Sequence, residues 1–236
     1  SKGDFEKSMA IYQDIISAPG EEDPESFAQA YMGIGYINWR KAEFPRALEM
    51  FSKSLQYAKV ENNLNTIGSL YINIGNVFNH RGDMKKALDY YMRGIRHLES
   101  YGNIIEAARG YSNIGGIYLQ EGQLEDAEKN LDLSIQKAKE RGRQEPWWPM
   151  VLKIKLHALK NDFRASDDAF ERVSEDLKGR EDKVALASSF MYEGVSKTLE
   201  GKYEEAETLL VRAITIFESL SIPLEIARAK GYPGDL

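Results

Sequence analysis

Asparagines and one arginine are the residues of this sequence whose types and spacing suggest a binding chemistry. The stretch YINIGNVFNHRG at 71–82 returns forty positions later as YSNIGGIYLQEG at 111–122. An asparagine side chain offers both donors and an acceptor, so it can pair with a peptide backbone whatever the peptide's sequence. The residues concerned are Asn73, Asn76, Asn79, Asn113 and Arg109. The sequence leaves open a structural alternative, in which Asn73 and Asn113 satisfy neighbouring helix ends.

The residues of common catalytic and metal sites are missing or scattered. There is no cysteine, which excludes thiolate zinc sites and cysteine nucleophiles. The three histidines lie far apart in the sequence and have no metal-ligand spacing: they are His80, His97 and His157. Acidic pairs such as Glu204/Glu205 fall where helices are expected to start, where negative charge favours the helix dipole. We therefore expect no enzyme activity, no metal site and no cofactor.

Composition narrows the classes of partner. The 236 residues include 31 Lys+Arg and 37 Asp+Glu, for a net charge of −6, with the two signs interspersed. This balance argues against nucleic-acid binding through a basic surface. No apolar run reaches the 18 or more residues of a membrane span, so no membrane partner is expected. The lack of cysteine favours a cytoplasmic location, and nothing in the sequence indicates the oligomeric state.

A repeat of about forty residues predicts the elements that must position the asparagines. Each repeat has a large anchor residue, a small residue three positions later and a bulky residue four after that, all on one helical face. The anchors are Phe5, Phe44, Met84, Leu124, Phe163 and Tyr203, at spacings of 39, 40, 40, 39 and 40 residues. A turn with glycine precedes most anchors, and a second amphipathic helix lies upstream. Each unit is therefore predicted to be a helical hairpin, with pairs beginning near 28, 66, 107, 150 and 187.

Small residues recur in register inside these helices. Glycines are predicted in the first helices at Gly35, Gly75, Gly115 and Gly194, and alanines follow twelve residues later at Ala47, Ala87, Ala127 and Ala206. Glycine within a helix costs about 1 kcal/mol relative to alanine, so its recurrence needs a packing reason. We predict that the small residues allow the two helix backbones to approach closely. Repeat four departs from this pattern, with Ile154 in place of glycine and Ser166 in place of alanine.

This pattern, aromatic-x-x-Leu/Ile-Gly with alanine twelve residues on and a bulky residue four later, resembles the tetratricopeptide repeat. It is similar to the forty-residue variant of cell-polarity adaptors and prokaryotic regulators. The resemblance implies an all-α, right-handed superhelical solenoid of antiparallel helix pairs. It also implies a scaffold, without catalysis, that binds a protein, as a peptide or partner helix, in its concave groove. The alternative is a ligand- or peptide-sensing regulatory domain of a transcription regulator or signalling protein.

The expected organisation is a single array over residues 1–236. It comprises a partial repeat 1–24, repeats at about 25–62, 63–102, 103–142, 143–181 and 182–220, and a partial repeat 221–236. Because the array begins and ends within a repeat, we expect the chain to be a fragment of a longer protein.

The first helices are expected to line the concave surface of such an array. Helical geometry then places on that surface a set of side chains without a single Asp or Glu, although about five acidic residues would be expected by chance. The predicted peptide-binding residues are Asn73, Asn76, Asn79, Asn113, Trp39, Arg40, Arg109 and Lys155. The asparagines and Arg109 are expected to lie away from every carboxylate. Burial between repeats would exclude charge equally well, and this alternative stays open.

The inner positions of repeats four and five are much more apolar than those of repeats two and three. They include Val151, Leu152, Ala158, Leu159, Met191, Val195 and Leu199. Exposed apolar patches mark interaction sites, so this stretch is predicted to receive a hydrophobic helix.

Overall fold

The computed structural model describes residues 2–18, 23–140, 146–178 and 182–231, and all regular structure in these ranges is α-helical. The helices are α1 (Lys2–Ser17), α2 (Pro24–Arg40), α3 (Phe44–Val60), α4 (Leu64–His80), α5 (Met84–Tyr101), α6 (Ile104–Gln120), α7 (Leu124–Lys139), α8 (Trp147–Leu159), α9 (Phe163–Asp176), α10 (Lys183–Glu200), α11 (Tyr203–Ser219) and α12 (Pro223–Gly231). Consecutive helices joined by short turns pack against each other. The expected all-α class, built from antiparallel helix pairs, is confirmed.

The chain divides into two compact units, Ser1–Asn113 and Ile114–Leu236, and the division falls within α6. In unit 1, α2 packs mainly on α3 and α4 mainly on α5. In unit 2, α8 packs on α9, α10 packs on α11, and α8 also contacts α10. The expected repeat boundaries at 142–143 and at 181 lie outside the described residues, as does the first residue of the EPWWPM stretch.

The second helix of each pair begins at the residue that the repeat marks as its anchor. These starts are Phe44, Met84, Leu124, Phe163 and Tyr203. Three of the turns before them end in a glycine with left-handed backbone, at Gly82 (φ 78), Gly122 (φ 71) and Gly201 (φ 84). Glycine adopts this conformation without steric cost, so the chain reverses there and the next helix starts at once.

The first helices begin two to four residues before the predicted positions, and polar side chains cap four of these five starts, all but that of α8. Asn63 precedes α4, and its side chain accepts a hydrogen bond from the Thr66 amide at 3.0 Å. Asp182 does the same for the Ala185 amide, at 3.0 Å, before α10. Such caps satisfy amide donors that the first turn of a helix leaves without partners.

Close helix contact explains the recurrent glycines. A β-carbon added at Gly75 would lie 2.6 Å from ring carbons of Tyr91 and 3.3 Å from the Ala87 carbonyl oxygen. One added at Gly194 would lie 2.8 Å from Leu210. Real β-carbons do not approach other atoms so closely. The prediction that small residues let the paired helices approach is therefore confirmed.

Replacing Ala87 with leucine should destabilise the α4–α5 pair. Ala87 is completely buried, so three extra carbon atoms must displace well-packed neighbours, at a cost of about 1–3 kcal/mol. The measurement is the free energy of unfolding in urea. Lys85→Leu is the matched control, because it adds a leucine to an exposed site of the same helix. Equal stabilities for the two variants would show that Ala87 does not lie at the helix contact.

Repeat four replaces the glycine–alanine contact with a hydrogen bond. Ser166, on α9, is completely buried, and its hydroxyl donates to the Ile154 carbonyl oxygen of α8 at 3.1 Å. The serine that replaces alanine in repeat four is thus still a small residue at the helix contact. Its buried hydroxyl has a hydrogen-bond acceptor on the other helix of the pair.

The apolar inner positions of repeats four and five are core, so the prediction of an exposed docking patch is wrong. Val151, Met191 and Val195 are all at most 2% exposed. The physical reason is that α10 packs against α8, α9 and α11 together, which covers the face predicted to be open. In this part of the chain, burial accounts for the missing carboxylates.

Candidate functional site

Asparagines of two first helices meet beside one buried tyrosine in unit 1. Tyr91, on α5, is completely buried, and its Oη donates to Oδ1 of Asn76 on α4 at 2.8 Å. The Nδ2 of Asn113, on α6, donates to the same oxygen at 3.0 Å. Asn76 therefore braces α4 against both α5 and α6. We call Asn76, Asn79 and Asn113, with Tyr91, the asparagine cluster.

Asn79 and Arg109 lie near the same hydroxyl. Burial raises the pKa of the Tyr91 hydroxyl, whereas a hydrogen bond from Asn79 and the positive charge of Arg109 act against that rise. The hydroxyl therefore stays protonated at neutral pH. The Oδ1 atom of Asn79 is buried and has no hydrogen-bond partner among the described residues. Asn73 is half-buried on α4, one turn before Asn76.

Arg109 lies beside the cluster on α6 and corrects one expectation. Its guanidinium forms an ion pair with Glu106, one turn earlier on the same helix, so the expectation that this group lies away from every carboxylate is wrong. The pairing follows from the spacing, because residues three apart on a helix are neighbours. The Arg109 side chain remains 46% exposed and keeps donors available to a ligand.

Trp39 and Arg40 lie in a group of aromatic rings and one guanidinium at the C-terminal ends of α2 and α4. The Trp39 ring lies 5.4 Å from the rings of both Tyr36 and His80. The Arg40 Nη1 donates to the Tyr36 hydroxyl at 3.1 Å. The indole nitrogen of Trp39 and Nε of Arg40 are buried, with no hydrogen-bond partner in the described ranges. His80 follows Asn79 in the sequence of α4.

Lys155 is the one predicted site residue that belongs to unit 2. Its ammonium lies 5.9 Å from the centre of the Tyr192 ring. Burial lowers the pKa of Lys155 to about 8, and the charge of Arg228 acts in the same direction. Tyr192 is itself buried.

A buried group of charges in unit 2 was not foreseen from the sequence. The Lys197 ammonium contacts Asp167 of α9, Glu193 at 3.2 Å and Glu200 at 3.4 Å. The Glu193 and Lys197 side chains are only 3% and 9% exposed. The Ser166 hydroxyl lies 3.4 Å from the second Glu193 oxygen. We call Asp167, Glu193, Lys197 and Glu200 the ion cluster.

The ion cluster shifts the titration of its members. Burial raises the pKa of Glu193 to about 7, and a hydrogen bond with Asp167 adds to the rise, while Lys197 opposes it. Burial alone would lower the pKa of Lys197, but its hydrogen bonds to Asp167 and Glu193 raise that pKa above the ordinary value. The available signals were Ser166 in place of alanine and the Glu193–Lys197 spacing, which is also typical of solvent-exposed pairs.

Across the described ranges, no group of three or more His, Asp or Glu side chains is arranged to hold a metal ion. None of the helices that the structure describes is both long and apolar enough to cross a bilayer.

Sequence comparison identifies the repeat. The family model of the tetratricopeptide repeat matches residues 68–96 and 108–136, which include all four residues of the asparagine cluster. No protein with a curated description matches the sequence.

Solved structures share the fold at low sequence identity. The Rap conjugation gene regulator of plasmid pLS20, in complex with the Phr* peptide, is 15% identical with a TM-score of 0.76, over 98% of this chain and 70% of that one. BtubC from P. vanneervenii is 17% identical with a TM-score of 0.64, over 93% and 90%. Aspartyl phosphate phosphatase F from Bacillus subtilis is 14% identical with a TM-score of 0.70, over 90% of this chain and 54% of that one. The chain thus contains tetratricopeptide repeats and has the helical-repeat fold of tetratricopeptide-repeat proteins.

Proposed function

We propose that the chain is a non-catalytic protein-interaction scaffold that binds a peptide on unit 1, across α2, α4 and the first part of α6. The observation that carries the proposal is the asparagine cluster with Arg109 beside it. It gathers amides from α4 and α6, joined at 3.0 Å, next to a partly exposed guanidinium. A protein with the same fold is complexed with a peptide, which supports this use of the fold.

The internal hydrogen bonds leave part of the cluster for a ligand. Asn113 donates one N–H to Asn76. Its second N–H and its Oδ1 remain for a ligand. Arg109 keeps the donors that Glu106 does not occupy. Each neutral hydrogen bond to a peptide should contribute about 0.5–1.5 kcal/mol, and those to a charged group about 1.5–3 kcal/mol. An acidic group at Arg109 should therefore contribute more than any single asparagine contact.

The remaining predicted residues extend this surface. Asn73, Trp39 and Arg40 are proposed to contact the same peptide further along α4 and α2. Lys155 is proposed as a separate basic contact within unit 2. The net charge of −6 disfavours a nucleic acid as the partner, and a cytoplasmic location remains part of the proposal.

The second candidate is a peptide-sensing regulatory domain. It is favoured by the fold shared over 98% of the chain with a gene regulator bound to a peptide. The two candidates differ in what the peptide does, because a sensor must change state when it binds. The gene context of the full-length protein would separate them, since a sensor needs an effector domain to control.

Binding should be tested with a phage-displayed library of random dodecapeptides panned on the purified chain. Arg109→Ala should lower recovery of the selected clones about tenfold or more, as removal of a charged hydrogen bond predicts, and high salt should have the same effect. Asn113→Ala should have a smaller effect. Arg96→Ala is the matched control, because Arg96 is exposed on a second helix of the same unit. Recovery no higher than from a protein-free surface would refute the proposal.

A further inference from the structure

The Asn76 oxygen accepts two hydrogen bonds inside the protein. Tyr91 Oη donates to Oδ1 from 2.8 Å, and Asn113 Nδ2 donates to it from 3.0 Å. A carbonyl oxygen has two lone pairs, so these two bonds use its full capacity as an acceptor. The Nδ2 atom lies at the other end of the same planar amide.

The orientation of the Asn76 amide follows from the two donors that meet its oxygen, one from Tyr91 and one from Asn113. The Tyr91 hydroxyl has one proton to give, and that proton goes to the Asn76 oxygen. If the Asn76 amide were reversed, its Nδ2 would face the Asn113 Nδ2, a donor against a donor, and the Tyr91 proton would lose its acceptor. Tyr91 is completely buried beneath the first helices, so its hydroxyl is held in place by packing.

We infer that Tyr91 is a positioning residue of the proposed peptide site, which holds the Asn76 oxygen inward and turns both Nδ2 protons towards the ligand. The inference rests on the proposed function. It makes the surface rich in donors, supplied by Asn76, Asn113 and Arg109. The group recognised there is therefore an acceptor, a peptide carbonyl or a carboxylate.

The orientation of Asn76 is tested without any ligand. Asn76→Asp keeps an oxygen for both internal donors, so its melting temperature at pH 7 should stay within about 2 °C of the wild type. Asn76→Leu has no acceptor at this position, so the Tyr91 hydroxyl and the Asn113 amide lose their hydrogen-bond partner. It should melt about 4 °C lower or more. An aspartate variant that melts as low as the leucine variant would show the reverse orientation and overturn the inference.

The role of Tyr91 is tested by Tyr91→Phe against Tyr90→Phe, which makes the same change one residue earlier in α5. Loss of the Tyr91 hydroxyl should shift the side-chain amide resonances of Asn76 in ¹⁵N-labelled protein and lower recovery of the dodecapeptide library at least threefold. Tyr90→Phe should do neither. Identical Asn76 resonances in the two variants would exclude positioning by Tyr91. Failure of the wild type to retain any peptide would refute the proposed function instead, because the melting and resonance tests need no ligand.

Discussion

Glu193→Gln is expected to leave stability nearly unchanged at pH 5 and to raise the free energy of unfolding by about 2–3 kcal/mol at pH 8. In the folded protein the pKa of Glu193 is raised from the ordinary 4.5 to about 7, mainly by burial. The folded state therefore binds this proton more tightly than the unfolded chain does. The contribution to stability is full below pH 4.5 and is lost as the pH rises towards 7. Glutamine stays neutral and escapes that loss.

The measurement is urea denaturation of the wild type and of Glu193→Gln from pH 5 to pH 8. The difference between their free energies of unfolding is followed as a function of pH. Glu200→Gln is the control, because Glu200 contacts the same lysine but has a pKa lowered below its ordinary value by hydrogen bonding to Lys202. Glu200 does not titrate between pH 5 and pH 8. The difference in free energy of unfolding between Glu200→Gln and the wild type should therefore not change with pH. A difference for Glu193→Gln that is equally flat would contradict the assignment of a raised pKa to Glu193.

Lys197→Met should destabilise unit 2 by about 3–5 kcal/mol at pH 8. Methionine fills similar space but removes the ammonium that Glu193 contacts at 3.2 Å. A carboxylate only 3% exposed is then left without its counter-charge, beside Asp167. Near pH 5 the loss should be smaller, because Glu193 then takes up a proton. Thermal and urea unfolding at both pH values provide the measurement.

The double variant Lys197→Met/Glu193→Met separates the cost of a broken pair from the value of the pair itself. Replacing both partners of a buried ion pair with apolar residues is often neutral or stabilising. We therefore expect the double variant to regain most of the stability that Lys197→Met loses. If the double variant were as unstable as the single one, the loss would reflect side-chain packing and not charge.

The hairpins could be predicted from the sequence because their signals are local. Phe44 and Met84 each follow a turn and open a helix, and the structure begins α3 and α5 at those residues. The contact at Gly75 was predictable for the same reason, since only a close approach explains glycine in register with Ala87. The asparagines could be assigned to one face because residues three apart on a helix are neighbours, and Asn76 does meet Asn113.

Burial by non-adjacent helices was the part that the sequence could not reveal. The apolar positions around Met191 were predicted to be open because a single helix gives no information about how many neighbours surround it. Glu193 and Lys197 have the spacing of an ordinary surface pair, and only their packing beneath other helices makes them a buried one. The bond between Tyr91 and Asn76 joins two helices through side chains, and no spacing rule encodes it.

The ion cluster also limits how such repeats can be exchanged during evolution or design. In repeats with a glycine–alanine contact, such as that of Gly75 and Ala87, the contact between the paired helices depends only on the hairpin's own residues and is kept when the hairpin is moved as a unit. Repeat four has no such independence, since Ser166 and Asp167 on α9 share their polar contacts with Glu193 and Lys197 on α10. Transplanting α8–α9 alone would separate these charges and leave Glu193 buried against a foreign surface. The inheritable module in this part of the chain is therefore three helices long, and its limits do not coincide with the forty-residue period.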